Sequence, residues 1–258
     1  MFLKSTSHEP TMQNPDHTSH YAKELSAEFS DFEEAARYAL LRRLAPAIQH
    51  HLMGKFQSMG VLATLLERQL QSTEPDMPGM HTDCAVMKSA TLTAASSSRY
   101  LMTWIAPDSA ATLTVDAGVR ECLSLLSTEF RFKGFVIINE VSDLDLALSS
   151  TALRSVLSAA LIALCDLSET PAELVIRAQA RLQRVELSIA LRPTEGRVTP
   201  VRPAKYRPLS WRDVEILAVA ESVKLTRTEG GAQLSFDHAG AHVPLESGIE
   251  DVIAGKKA

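Results

Sequence analysis

The sequence lacks most features that mark secreted, membrane-spanning or nucleic-acid-binding proteins. Its three cysteines, Cys84, Cys122 and Cys165, are far apart and form no C-x-x-C pair, so we expect buried thiols in a reducing compartment. A signal-peptide core and runs of 18 uninterrupted apolar residues are absent, which predicts a cytoplasmic protein without a membrane partner. A formal charge of −5, from 26 basic and 31 acidic residues, indicates no nucleic-acid partner.

The chain does contain enough apolar material for two packed units. Hydrophobic residues make up 45% of its 258 positions, which is sufficient for two modest cores. Residues 1–25 are polar and are expected to form a disordered tail, and 246–258 a C-terminal tail. The histidines of the first tail are too irregularly spaced to predict a metal site. They are His8, His17 and His20.

The stretch from Ala39 to Leu70 has the apolar periodicity of a long helix. The helix is expected to begin near Ser26 or Ser30, either of which can cap it, and to end near Gln71. Pro46 lies inside the helix and predicts a kink before the middle of the stretch. The apolar face consists of Leu40, Leu44, Ile48, Leu52, Phe56, Met59, Ala63, Leu66 and Leu70.

A second helix is predicted from Met80 to Ile105, after a turn at 72–79 that is rich in Pro, Asp and Gly. Two long helices joined by a short turn form a hairpin that cannot bury its apolar face alone. A two-fold copy would complete a four-helix bundle, so residues 26–108 are predicted to form a homodimer. The alternative is a hairpin that packs on the C-terminal part of its own chain.

From Thr112 onward, helical and strand patterns alternate. A short strand, an amphipathic helix and the strand FVIINEV are followed by the helix SSTALRSVLSAALIALCDL. Two strands in AELVIRAQARLQRVELSIALRP, a helix from Leu209 to Arg227 and the strand GGAQLSFD complete the pattern. This order predicts an α+β fold for residues 109–245, a sheet with helices on one face. The apolar positions of the amphipathic helix are Val119, Cys122, Leu123, Leu126 and Phe130.

Two adjacent histidines lie near the middle of the first helix. At about 100° of rotation per residue, His50 points almost opposite the stripe of Ile48 and Leu52, and His51 lies nearer its flank. His50 is therefore expected to face solvent, where a neutral imidazole is a good nucleophile near pH 7. Exposed histidines are also common on helix surfaces without any function, so the role of His50 has to be inferred from the rest of the chain.

The hairpin with its central histidine, followed by an α/β sandwich, resembles the dimerisation and ATP-binding (Bergerat-type) domains of two-component histidine kinases over residues 30–240. The family motif H-E-L-R-T-P-L aligns with HHLMGKF, residues 50–56. The resemblance implies that His50 is the phosphoacceptor in a bacterial signalling protein. The proline and arginine of the motif are absent, and His51, a possible auxiliary residue, replaces its acidic residue.

The nucleotide site of that family is degenerate in this sequence. Ala159 and Ala163 stand where the family has the asparagines that hold magnesium and the triphosphate, and alanine can ligate neither. The segment RPTEGRVTPVRPAKYRPL replaces the adenine-binding motif Asp-x-Gly-x-Gly, of which Gly196 alone remains. We therefore expect no bound cofactor. The chain resembles the dimeric histidine phosphotransferases that derive from histidine kinases.

This resemblance implies a phosphorelay in which His50 carries a phosphoryl group between receiver domains of response regulators, with magnesium supplied by the receiver. The alternative is a non-catalytic dimeric scaffold or inhibitor that docks a receiver or a kinase. An active ATP-dependent kinase is disfavoured by the missing asparagines. Receiver docking is predicted around and below His50, at Met53, Gly54, Lys55, Gln57 and Gly60.

The sequence is compatible with two roles for each of two sets of basic residues. Lys55 and Arg43 either lie near the phosphoryl group or are ordinary solvated charges. The basic segment 192–212 either contacts an acidic receiver surface or forms a solvated loop. Its charges are Arg192, Arg197, Arg202, Lys205, Arg207 and Arg212.

Overall fold

A computed structural model describes residues 15–106, 108–142, 144–195 and 207–237, with side chains described from residue 26 onward. The chain begins with two long helices, α1 (Pro15–Leu70) and α2 (Met77–Ile105), which a short turn joins into a hairpin. The Asp76 carboxylate caps α2 by accepting a hydrogen bond from the backbone N–H of Gly79. The predicted helical hairpin is thus confirmed.

The first helix begins earlier than the sequence pattern indicates. It begins at Pro15 and not at Ser26 or Ser30, so the boundary of the expected tail at residue 25 is wrong for residues 15–25. Proline is favourable at a helix start because its missing N–H has no partner there in any case. Residues 1–14 and 246–258 lie outside the described residues. The helix continues through Pro46, and the kink stays a prediction.

The second half of the chain is a mixed α/β domain. It contains a helical segment, Ser150–Leu167, in which one π-helical turn interrupts the α-helix. Its elements in chain order are β1 (Thr112–Thr114), α3 (Val115–Phe132), β2 (Val136–Asn139), β3 (Ala147–Ser149), α4 (Ser150–Ala152), the π turn (Leu153–Leu157), α5 (Ser158–Leu167), β4 (Ala172–Ala180), β5 (Arg184–Pro193), α6 (Trp211–Ala220), β6 (Lys224–Thr228) and β7 (Gly231–Asp237).

Five strands form the main sheet, in the order β2-β4-β5-β7-β6. β2 pairs parallel to β4 from Val136 opposite Glu173, and the remaining neighbours are antiparallel. β1 and β3 form a separate antiparallel pair. The fold class is therefore the expected one, a long helical hairpin followed by an α/β domain.

The helix α3 packs its predicted apolar stripe into the core of this domain. All five predicted positions, from Val119 to Phe130, are buried. Each large apolar side chain buried in this way contributes about 1.5–3 kcal/mol. The helix ends at Phe132, and the positive φ of 92° at Gly134 turns the chain so that the Phe135 amide donates a hydrogen bond to the Phe130 carbonyl.

The segment Ser150–Leu167 is the most apolar helix of the described residues. By length and composition it could cross a membrane, with a mean hydropathy of 1.5, but 83% of it is buried inside the α/β domain. It passes through the middle of the hydrophobic core, between α3 and α6. The segment is thus the central core helix of the domain.

Two local expectations need correction. The helix predicted from Leu209 to Arg227 ends at Ala220, because the chain turns at Ser222, which has a φ of 56°, and continues as the edge strand β6. Short-range periodicity could not locate that turn, since Ser222 is not a residue type that usually adopts positive φ. Cys84 is exposed on α2, whereas Cys122 and Cys165 are buried as expected.

The base of the hairpin belongs to the same core as the α/β domain. Phe29, Leu40 and Leu44 of α1 and Leu101 and Trp104 of α2 are buried in that core. The alternative of a hairpin packed on its own C-terminal part therefore holds for the base. The distal half of the hairpin keeps large apolar side chains exposed, and these are Phe56, Val61, Leu65, Leu70, Val86 and Leu92.

Candidate functional site

The two histidines lie on α1 where the base of the hairpin meets its distal half. His50 is exposed and His51 is half-buried, while Ile48 and Leu52 pack against the core. This is the orientation that the helical rotation predicts. Within the described part of the chain, neither imidazole makes a hydrogen bond, so no neighbour fixes which ring nitrogen carries the proton.

A cleft of about 400 Å³ separates this part of α1 from α3. Both histidines line one wall, together with Pro46 and Ala47. The opposite wall comes from α3, and it is formed by Ser124, Leu125, Thr128, Glu129 and Phe132, with Lys133 at its end. Phe132 is 74% exposed, so an aromatic ring stands open to solvent beside the histidines.

An ion-pair network holds the two walls of the cleft together. The Arg43 guanidinium donates hydrogen bonds to both carboxylate oxygens of Glu129, one of them at 2.7 Å, and to Asp166 at 3.1 Å. Lys133, whose side chain is 5% exposed, binds the same two carboxylates. Two cations therefore neutralise two anions at the junction of α1, α3 and α5.

This network sets the ionisation of its members. Burial acts to raise the pKa of Glu129 and Asp166, but hydrogen bonds from Arg43 outweigh it and, with Lys133, hold each pKa below its usual value. Burial acts to lower the pKa of Arg43, but its interactions with Glu129 and Asp166 outweigh burial. The Arg43 pKa is therefore raised above its usual value. Arg43 is thus neither a solvated surface charge nor a free cation beside His50. Its interaction joins the hairpin to the α/β domain.

The predicted docking residues lie on the open side of α1. Met53, Gly54, Gln57 and Gly60 are exposed, and Lys55 is half-buried. A Cβ atom added to Gly54 or Gly60 would meet no other atom of the described residues within 4 Å. Packing among the described residues therefore gives no reason for glycine at either position, although each costs the helix about 1 kcal/mol relative to alanine.

The two alanines that the resemblance aligns with the kinase asparagines are not accessible to solvent. Ala159 and Ala163 are buried on α5, within the hydrophobic core. Gly196 lies outside the described residues, as do Arg197, Arg202 and Lys205.

The basic residues near the C-terminal end of the segment 192–212 have structural roles. Arg207 forms a two-bond ion pair with Asp213 at 2.7 Å, and that pair lowers the Asp213 pKa against the effect of burial. The Arg212 guanidinium lies 5.4 Å from the centre of the Phe32 ring on α1. Arg192 is exposed.

Sequence reasoning missed the contribution of α3 to the site. Ser124, Thr128 and Phe132 lie off the buried stripe of that helix, so periodicity classes them as surface residues. The available signal was Phe132 itself, a large aromatic side chain outside the apolar stripe. Phe132 and His50 line the same cleft although they are far apart in the sequence, and no local pattern could indicate this.

No family model and no curated protein matches the sequence. Among solved structures, the chain is similar to the Acinetobacter baumannii histidine kinase AdeS, with 13% identity and a TM-score of 0.41 over 69% of this chain and 96% of that one. It is also similar to the histidine kinase ThkA in complex with response regulator protein TrrA, with 12% identity and a TM-score of 0.37 over 83% of this chain and 66% of that one.

A third similar structure is that of a bacterial phosphotransferase. It has 16% identity and a TM-score of 0.34, over 77% of this chain and 95% of that one. The three structures named here are those of two histidine kinases and a phosphotransferase. The likeness concerns the fold and does not define the activity.

Proposed function

We propose that this chain is a histidine phosphotransferase, which relays a phosphoryl group between receiver aspartates of response regulators through His50. The observation that carries the proposal is an exposed imidazole that has no hydrogen-bond partner among the described residues and lines a cleft of about 400 Å³ with a polar and aromatic far wall. Such a site leaves room for a second protein to bring its reactive group to the imidazole.

The chemistry needs little from the chain itself. An imidazole nitrogen of His50 attacks the phosphorus of a receiver phosphoaspartate, and an N–P bond forms as the P–O bond to the aspartate breaks. The carboxylate leaves with the electron pair, and the imidazole loses its remaining N–H proton to solvent. The reverse sequence transfers the group to another receiver. Magnesium bound by the receiver neutralises the phosphoryl charge, so this chain requires no cofactor.

Direct phosphorylation by ATP is not part of the proposal. Ala159 and Ala163 are buried in the core, and neither side chain has an atom that can ligate magnesium or bind phosphate. The phosphoryl group on His50 therefore comes from another protein.

The docking surface proposed for the receiver consists of Met53, Gly54, Gln57 and Gly60 on α1, with Phe132 on α3. The two glycines leave open space for a close approach of a partner backbone. The Phe132 ring, 74% exposed, offers an apolar contact on the other side of the cleft.

The distal hairpin is proposed to bind a second copy of itself. Its exposed apolar side chains include Val61 at 61% and Leu92 at 64%, one on each helix. Two hairpins related by a two-fold axis bury such faces in a four-helix bundle, which a single hairpin cannot do. The dimer thus places two copies of His50 on one particle.

A non-catalytic scaffold is the second candidate, and one observation favours it. His51 occupies the position of the acidic residue that assists proton removal in kinases, and it makes no hydrogen bond within the described residues. A scaffold would dock a receiver or a kinase through the same surface without accepting phosphate.

Transfer of label from a phosphorylated receiver separates the two candidates. The full chain is incubated with a receiver carrying labelled phosphoaspartate, and label on the chain is measured. The relay predicts labelling of the wild type and of His51→Ala but not of His50→Ala. A chain that binds the receiver and never acquires label is a scaffold. Label acquired directly from ATP would contradict the proposed loss of the nucleotide site.

A further inference from the structure

The base of the hairpin meets the α/β domain through a shared apolar core. Side chains of both helices, such as Leu44 of α1 and Leu101 of α2, belong to the hydrophobic core of that domain, and α1 packs on α3 as well as on α6. Protein interiors are close-packed, so one part cannot slide over the other without opening a cavity. Apolar burial has no preferred direction, however, and the polar contacts at the edge of the core therefore fix the orientation of the hairpin.

The first of three polar contacts at this junction joins α1 to the end of α6. The Arg37 guanidinium donates a hydrogen bond to Glu221, the residue that follows α6, at 2.6 Å, and another to Glu33 on its own helix at 2.8 Å. The Glu221 side chain is only 11% exposed. Burial acts to lower the pKa of Arg37, but its hydrogen bonds to both carboxylates outweigh burial and raise that pKa, so Arg37 stays charged at neutral pH.

The second contact lies about 9 Å further along α1, given the helical rise per residue. There the Arg43 guanidinium binds Glu129 of α3 and Asp166 near the end of α5. Both contacts are directional, because a hydrogen bond fixes the angle between its partners as well as their distance. Together the two contacts hold two points of α1, which still leaves rotation about the line that joins them.

The third contact involves the other helix of the hairpin. The Arg154 guanidinium, in the π turn of the core helix, lies 5.6 Å from the centre of the Tyr100 ring and 5.8 Å from that of Trp104, both on α2. The charge of Arg154 is paired with Glu121 of α3 at 3.0 Å. Since this contact lies on α2 and the other two lie on α1, the three are not on one line. No rotation axis therefore passes through all of them.

The connection between the hairpin and the α/β domain is also bonded to the core helix. Between α2 and β1, the Asp108 carbonyl accepts hydrogen bonds from the Ala111 amide at 3.1 Å and from the Thr151 hydroxyl at 3.5 Å. The Ala111 carbonyl accepts one from the Ser150 amide at 2.9 Å. Hinges between domains are residues that can change their backbone angles, and these hydrogen bonds oppose such a change at Asp108 and Ala111.

We propose that the hairpin and the α/β domain are a single rigid body, in which the three polar contacts hold α3 at a fixed position beside His50. The cleft between α1 and α3 is then already formed before a partner binds, and the α/β domain is a stationary wall of it. A preformed site loses little conformational freedom when its partner binds. This rigidity does not depend on phosphotransfer, so it holds whether or not His50 accepts phosphate.

Pulsed electron-spin resonance on the full chain tests this rigidity. Spin labels are attached to Arg99→Cys on α2 and Gln179→Cys on β4, both at exposed positions, in a chain that also carries Cys84→Ser. Cys122 and Cys165 are buried and stay unlabelled. Dilution with unlabelled chain removes the distances between copies. One narrow distribution of the distance between the two labels is expected.

Variants of the junction supply the second part of the experiment. Arg37→Gln and Arg43→Gln together remove both contacts of α1 and should broaden the distance distribution. Arg181→Gln is the matched control, because it breaks an ion pair with Glu186 at the β4–β5 turn and should leave the distribution unchanged. If the double variant does not fold, Arg37→Gln decides alone, since that side chain is 32% exposed. A broad or two-peaked distribution in the labelled chain without these changes overturns the proposal, and so does a junction variant that is no broader than the control.

Discussion

Replacing Arg43 by glutamine should destabilise the protein more than the loss of any exposed ion pair. Arg43 binds Glu129 through two hydrogen bonds and Asp166 through two more, and its side chain is 14% exposed. Removing one partner of a fully buried pair costs about 3–5 kcal/mol. Here the carboxylates keep Lys133 and remain 22% and 25% exposed, so the expected loss is about 2–3 kcal/mol.

Urea unfolding of the full chain, followed by circular dichroism at pH 7, measures this loss. Arg181→Gln is the control, because it breaks a surface pair with Glu186 and should cost less than about 1 kcal/mol. Equal free energies of unfolding for the two variants would refute the structural role of Arg43.

The pH dependence of the free energy of unfolding tests the same ion-pair network in a second way. Glu129 and Asp166 have folded-state pKa values below their unfolded values, so their pairs stabilise the protein above about pH 4. That stabilisation is lost as pH falls through the folded-state pKa values. The stability difference between wild type and Arg43→Gln should therefore shrink between pH 6 and pH 3. A difference that stays constant over that range would show that packing, and not charge, determines the effect.

Four other substitutions test the docking surface, the dimer and the cap of α6. Gly54→Ala and Gly60→Ala should each stabilise the helix by about 1 kcal/mol in urea unfolding, and each should slow transfer from a phosphorylated receiver; unchanged transfer would remove these positions from the docking surface. Val61→Lys should shift the chain to monomer in light scattering, and Gln71→Lys, at an exposed turn position just after α1, is the control. Equal dimer content in both variants would contradict the bundle. Asp213→Asn should lower the free energy of unfolding by about 1–2 kcal/mol, because it weakens a capping box and an ion pair.

Local patterns in the sequence predict the elements of this fold well where one face of each is buried. The stripe from Val119 to Phe130 and the alternation in β5 each follow from burial of one face, which leaves a period of 3.6 or 2 in the sequence. The edge strand β6 has one half-buried side chain, Leu225, and four exposed ones, so it leaves no such signal. For that reason the sequence pattern predicts the end of a helix at these residues.

The sequence predicts only one wall of the candidate site. His50, with its exposure, follows from its position relative to Ile48 and Leu52 on one helix. The far wall of the cleft does not follow from a local pattern, because α3 is held beside α1 by long-range contacts such as the hydrogen bond from Arg43 to Glu129, 86 positions apart in the chain. The role of Arg43 likewise depends on carboxylates from two other helices.

The location of the phosphoryl group after transfer tests the central claim most directly. The chain is incubated with a phosphorylated receiver and magnesium, digested under alkaline conditions that preserve phosphohistidine, and the peptide containing both histidines is fragmented in a mass spectrometer. The account predicts phosphate on His50, with His51 unmodified. Phosphate on His51, or an unmodified peptide while the receiver keeps its phosphate, would contradict it.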